Sequence, residues 1–160
     1  MNPIDKPEIT DKTARSQTES ISFEFDLPHS PTKVWRALTD PALLAEWLLP
    51  VIDLKLEPGA AFTFKAPPQP GWDGTVNCRL REIEAQRKLS YTWVVGDDME
   101  ISTVVTFTLT PTAAPDGKSG TRLSLVQSGF KPDQKQAFGG ARYGWKMMGG
   151  RLGDLLARIP

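Results

Sequence analysis

Two side chains in this 160-residue sequence belong to the types most used for proton transfer and nucleophilic attack near neutral pH, and each occurs once: His29 and Cys78. An imidazole titrates in the right range for a proton shuttle, but it needs a partner to orient it. His29 stands in "LPHSPT", just before a helix start and with no acid beside it in sequence, and it reads as an exposed loop residue. Cys78 shares the apolar parity of Val76 and Leu80 in "TVNCRL", which predicts a buried, inert thiol, whereas a nucleophile needs an accessible, electropositive setting. One His and one Cys cannot supply the usual nitrogen and sulfur set of a metal site, so no metal or other cofactor is expected. Asp97-Asp98 reads as a turn between strands, and Glu82 and Glu84 as solvent-facing carboxylates. The helix glycines have neither dinucleotide-binding nor P-loop spacing.

What remains is chemistry of contact. Trp47, Phe64, Trp72, Tyr91, Trp93, Phe107, Trp145 and Met148 could line a cavity for a flat or acyl ligand, because aromatic rings supply large contact areas and methionine adapts its shape. For any one of them taken singly, ordinary core packing is the better account. Leu152 continues the same helical stripe, and Arg142, Tyr143 and Tyr91 are the candidate polar contacts.

These residues need elements to hold them. Residues 1–20 mix charges of both signs without an apolar core, which predicts a mobile polar tail and no signal peptide; residues 21–160 form the expected domain. Ile21, Phe23, Phe25 and Leu27 alternate with polar residues, the signature of a half-buried strand. Ser30-Pro31 and Asp40-Pro41 each pair a capping residue with proline in the first turn, so two short helices follow. From residue 51 to 130, alternating segments broken by Pro/Gly turns predict about six antiparallel strands, with a parity slip from Leu80 to Ile83 as at a bulge. Thr103, Val105, Phe107 and Leu109 face one way in "STVVTFTLT" and mostly hydroxyls face the other. The proline-rich excursion "KAPPQPGWDG" is a stiff connection that could act as a lid.

The last segment, "GGARYGWKMMGGRLGDLLARIP", holds glycines 139, 140, 144, 149, 150 and 153, yet Ala141, Trp145, Met148, Leu152, Leu155 and Ile159 keep a helical stripe. Each interior glycine costs roughly 0.5–1 kcal/mol relative to alanine, so close approach to a curved sheet is the expected compensation. One strand, two short helices, a strand meander and one long helix make an α+β domain in which that helix covers the apolar face of the sheet.

Lys plus Arg equals Asp plus Glu at 19 each, and the zero net charge argues against nucleic acid as a partner. No apolar run approaches the roughly 18 residues of a membrane span, so no stable membrane insertion is expected, and the single cysteine fits a reducing compartment such as the cytoplasm.

The motifs "FEFDLPHSPTKVWRALTDPALLAEWL", "LEPGAAFTF", "GTVNCRLREIEAQRKLSYTW", "GTRLSLVQSGF" and "YGWKMMGGRLGDLL" resemble the START-like superfamily over about residues 21–158. Within it they are most similar to the family related to the C-terminal domain of the ATPase activator of the ninety-kilodalton heat-shock chaperone. Ala60 stands where that family usually has the second glycine of a pair. The resemblance implies a helix-grip fold, a curved sheet of six to seven strands around the C-terminal helix, with a hydrophobic cavity between them. It also implies three roles: binding of a hydrophobic or amphipathic small molecule, modulation of a chaperone ATPase in a stress response, or cyclase- or hydrolase-like catalysis.

Overall fold

A computed structural model describes residues 8–13, 19–70, 72–96, 101–113 and 116–160. The expected turn at Asp97-Asp98 lies outside the described residues. The chain runs β1 (Glu8–Asp11), β2 (Ser20–Leu27), α1 (Pro31–Thr39), α2 (Pro41–Trp47), β3 (Val51–Ile52), β4 (Ala61–Lys65), β5 (Thr75–Glu84), β6 (Lys88–Val95), β7 (Ile101–Ala113), β8 (Ser119–Ser128) and α3 (Lys135–Arg158). The strands form one curved antiparallel sheet in the order β1-β2-β8-β7-β6-β5-β4-β3. Because β2 pairs with β8, the helical pair α1–α2 carries the chain from one side of the sheet to the other edge at β3, and α3 returns across the same face.

Local sequence accounts for most of these elements. The Ser30 hydroxyl accepts a hydrogen bond from the Lys33 amide at 3.2 Å, and Asp40 Oδ1 accepts from the Ala42 amide at 2.9 Å, satisfying helix-start donors in α1 and α2. Burial in β2 alternates strictly, with Ile21, Phe23, Phe25 and Leu27 inside. The β5–β6 register shifts between Leu80 and Glu82, at the bulge that the parity slip predicts. Glu82 and Glu84 are exposed, and Glu82 pairs with Lys88 at 2.8 Å.

Two features depart from expectation. The sheet has eight strands, and one of them lies in the presumed polar tail: Glu8–Asp11 pairs with β2 over Glu8↔Asp26 to Asp11↔Phe23. Four residues, two of them charged, are too few to show a period, so this strand is fixed by its ladder and by Asp11, which takes an ion pair from Arg142 of α3 at 2.5 Å. Second, His29 is half-buried, not exposed; its carbonyl accepts from the Thr121 hydroxyl at 2.8 Å and its Nδ1 lies 3.2 Å from Lys33 Nζ.

Only some of the α3 glycines serve close approach. A Cβ on Gly149 would stand 2.3 Å from Phe25 Cε1, so β2 and α3 could not pack as they do with any side chain there. At Gly139, Gly140, Gly144 and Gly150 a Cβ would meet nothing within 4 Å. Gly144→Ala is expected to raise stability by about 0.5–1 kcal/mol, since the helix gains propensity and loses no contact. Gly149→Ala is expected to lower it by about 1–3 kcal/mol through overpacking against Phe25. Paired urea titrations check both signs at once.

Candidate functional site

The residues that sequence singles out divide into an interior group and an outlying group. Inside, Phe64, Tyr91, Phe107, Trp145 and Trp93 form a closed circuit of ring contacts with centroids 5.4–6.2 Å apart, and Trp47 joins it at Phe107, 6.4 Å away. Leu152 is buried with them and Met148 half-buried. The alternation of β4, β6 and β7 sends Phe64, Tyr91, Trp93 and Phe107 to the concave face, and α3 lowers Trp145 onto it. Arg142 and Tyr143 lie elsewhere: Arg142 is exposed and paired with Asp11, and Tyr143 is 67% exposed on the outer side of α3. Tyr143, two residues before Trp145, lies about 200° round the helix from it, and Arg142 turns its guanidinium aside to Asp11.

Trp72 lies in the β4–β5 excursion. Its indole N–H donates to the Thr75 carbonyl at 2.9 Å, and its backbone pairs with Gln69 in both directions. The excursion is pinched where the Ala66 amide donates to the Gly74 carbonyl at 2.7 Å. Gly74 has φ +89° and a Cβ there would fall 2.0 Å from the Ala66 oxygen, so only glycine closes this loop. Trp72 and Asp73 line a groove of about 710 Å³ together with Thr63, Asn77 and Arg79, residues of opposite parity to the interior rings.

The expected hydrophobic cavity is not an open chamber. Between α1, α2 and the sheet a hollow of about 10 Å³ remains, room for about one water. Leu38, Leu44, Leu54, Leu56, Phe62, Phe64, Leu80, Leu89 and Tyr91 line it. The aromatic circuit occupies the volume that was expected to be empty, since each ring closes on the next. Leu54 and Leu56, which belong to the connection between β3 and β4, cover this hollow; Leu56 is 43% exposed.

Sequence reading missed the polar relay behind the circuit. The Trp145 indole N–H donates to Gln127 Oε1 at 2.7 Å, Gln127 Nε2 donates to the Thr103 hydroxyl at 2.9 Å, and that hydroxyl donates to the Trp93 carbonyl at 2.9 Å. Gln127 and Thr103 are each 2% exposed, so every link replaces a lost contact with water. The signal was available: position 127 continues the inward parity of Leu123 and Leu125, and a glutamine there demands buried partners.

The titratable groups inside favour contact over catalysis. Burial pushes the Cys78 thiol far above its ordinary 9.0, and burial first, then the neighbouring Cys78, pushes Tyr91 up as well. Both stay protonated at neutral pH, so neither is a ready nucleophile or base. No Asp, Glu, Lys or Arg among the described residues is buried, and none of the described His, Cys, Asp and Glu residues cluster in threes to hold a metal ion. No described helix is long and apolar enough to cross a membrane.

With a curved sheet, a gripped helix and an aromatic interior in place, the comparisons with known proteins agree with the geometry. The sequence profile of the family "Activator of Hsp90 ATPase homolog 1-like protein" matches residues 28–157, and the chain belongs to this family, one of the START-like group. It is similar to MLL2253 from Mesorhizobium loti, whose crystal structure is 40% identical, covers 88% of this chain and 98% of its own, and superposes with a TM-score of 0.77. CalU16 from Micromonospora echinospora, 20% identical over 96% of this chain and 86% of its own, gives 0.69. DynU16, a protein of the dynemicin biosynthetic locus, is 22% identical over 89% of this chain and 48% of its own, and gives 0.71. The last two share the fold. No curated protein matches the chain in sequence.

Two outcomes check this description. Trp145→Phe leaves Gln127 Oε1 buried without its donor and is expected to cost about 1–3 kcal/mol in denaturant unfolding. Because the folded-state pKa values of Cys78 and Tyr91 are raised, their protonated forms favour folding fully below the unfolded-state values and that contribution falls as pH rises beyond them. Stability measured from pH 8 upward should therefore decline above about pH 9, and less so in Cys78→Ala and Tyr91→Phe.

Proposed function

We propose that this protein binds a small apolar or amphipathic molecule in the hollow beneath Leu54 and Leu56, by displacing that leucine segment. The observation that carries the reading is the character of the hollow's wall: eight apolar side chains, with Tyr91 the one lining residue that bears a polar group. An apolar site with one polar residue in its wall is the usual pattern of small-molecule recognition, in which apolar area supplies affinity and the polar group sets orientation. Family membership supports it, since the helix-grip fold suits ligand binding.

The leucine segment is the part best able to move. It belongs to an irregular stretch between the two-residue β3 and β4, and Ile52 and Leu56 are 46% and 43% exposed, so swinging it out forfeits less burial than parting α3 from the sheet. Each buried methylene of an acyl chain contributes about 0.8 kcal/mol, which a few carbons can set against the cost of opening. Phe64 and Tyr91 would contact the ligand directly, and Trp47, Trp93, Phe107, Trp145, Met148 and Leu152 would set the limit of the pocket. Trp72, Arg142 and Tyr143 lie outside this pocket. Such a carrier would work in a reducing compartment such as the cytoplasm, where Cys78 stays a thiol.

A second reading follows from the family's name: a module that modulates the ATPase of a heat-shock chaperone. A nearly solid interior suits a protein whose surface does the work, and calorimetry with the purified chaperone tests it.

The ligand reading is tested by amide-resolved titration with decanoate, a sterol and a flavonoid. Saturable shifts at residues 54–64 and 89–91 are expected, with Leu54→Ala strengthening binding and Leu44→Phe weakening it. Shifts at none of these amides for any of the three classes would overturn the reading.

A further inference from the structure

We propose that the groove on the outer face of β4, β5 and β6 is a second binding site, and that its ligand is a neutral saccharide. Strand alternation puts most of the site on the opposite side of the same three strands from the interior hollow, with Phe62 shared by the two linings. Thr63, Asn77, Val94 and Ser102 are cross-strand partners and form one continuous rung, while Ala61, Arg79 and Thr92 make the next. The β4–β5 excursion walls one end with Trp72 and Asp73. At about 710 Å³ the groove has the size of a small-molecule site, and it is far larger than the hollow on the inner face.

The lining chooses among ligand classes. Its charged side chains are Asp53, Asp73 and Arg79, two carboxylates against one guanidinium, and Arg79 already donates through Nη1 to the Gly59 carbonyl at 2.7 Å. An anion would meet more negative than positive charge, and a cation would find its two carboxylates on separate segments, one on each side of β4. What the groove offers in number is neutral donors and acceptors. Thr63 and Asn77 line the groove, Asn77 at an exposed position, and neither side chain has a hydrogen bond among the described residues. Carboxylates add strong acceptors for paired hydroxyls. Beside these lie Val94 and the half-buried indole of Trp72, one part of which packs against the core.

A sugar ring has that division built in: hydroxyls around its rim, each both donor and acceptor, and C–H groups on its faces that pack on an aromatic surface. Trp72 is also tied into the chain on both sides. Its indole bond to the Thr75 carbonyl, its two backbone bonds to Gln69 and the close approach of Gly74 to Ala66 hold it in place, which lowers the cost of ordering it on binding.

The test titrates the intact chain with cellobiose, maltose and N-acetylglucosamine, and with adenosine as a flat ligand that is not a saccharide, following backbone amides. A saccharide site gives saturable shifts at residues 61–63, 75–79 and 92–94 with a millimolar dissociation constant, the weak affinity expected of a shallow wet site. Trp72→Ala should weaken binding about tenfold or more. Asn77→Ala, at an exposed position that the fold does not depend on, should weaken it severalfold and serves if the tryptophan variant fails to fold. Absence of saturable shifts with all three sugars, shifts confined to other surfaces, tighter binding of adenosine than of any sugar, or full affinity in folded Trp72→Ala would each overturn the proposal. Decanoate does not compete in the saccharide case, so loss of the interior reading leaves this one standing.

Discussion

The contact of Gly149 with Phe25 sets the distance between helix and sheet, and much else follows from that distance. With no side chain at 149, α3 settles until its backbone meets the ring of β2. At that separation Trp145 reaches down to Gln127, and its indole meets Phe107 and Trp93 edge-on or tilted. The cost of glycine in a helix is therefore offset locally by ring packing and a buried relay. It is not offset at 139, 140, 144 or 150, where the missing side chains would have met open space. The one tight contact is at Gly149, Gly153 is also buried, and the other four glycines contribute nothing that the structure explains.

That spacing also governs what the interior can do. A helix-grip fold can leave room between its layers, but room requires that the facing side chains stay apart. Here five aromatic rings close on one another, and the remaining hollow is displaced toward α1, α2 and the β3–β4 connection, away from the part of α3 that carries Trp145. Any molecule entering must move side chains, and the movable ones are Leu54 and Leu56. Affinity would then depend less on the size of the resting hollow than on how cheaply those two residues leave it.

Much of this was legible in the sequence, and the reasons are physical. Alternation over eight residues fixed which face of β2 is buried, the Ser30-Pro31 and Asp40-Pro41 pairs placed both short helices, and the parity slip after Leu80 marked the bulge. These are local signals, repeated enough to be read. The strand at Glu8–Asp11 was not, because four residues carry no period and its stability comes from a ladder and an ion pair formed at long range. Aromatic residues named as cavity lining did gather in one place, but sequence does not say whether gathered rings surround a space or fill it. That depends on interlayer distance, which one glycine among six decides. Tyr143 faces outward because two residues turn a helix through about 200° from Trp145, and Arg142 is drawn aside by its ion pair with Asp11, a long-range contact that spacing does not show.

Strands β4, β5 and β6 carry both faces of interest, and the period of two ties them together. Phe62 and Phe64 bound the inner hollow while Thr63 between them faces the outer groove; Leu80 and Asn77 divide β5 in the same way, as Tyr91 and Val94 divide β6. A one-residue slip in any of these registers would exchange the two linings, placing hydroxyls against the aromatic circuit and rings in the solvent groove. The bulge between Leu80 and Glu82 falls just beyond the groove residues of β5, so the irregularity is absorbed past the point where both faces need strict alternation. The pinch at Gly74 holds the other end of the same strand. Between these two fixed points the register cannot drift, and a single stretch of sheet can present an apolar wall on one side and a polar one on the other.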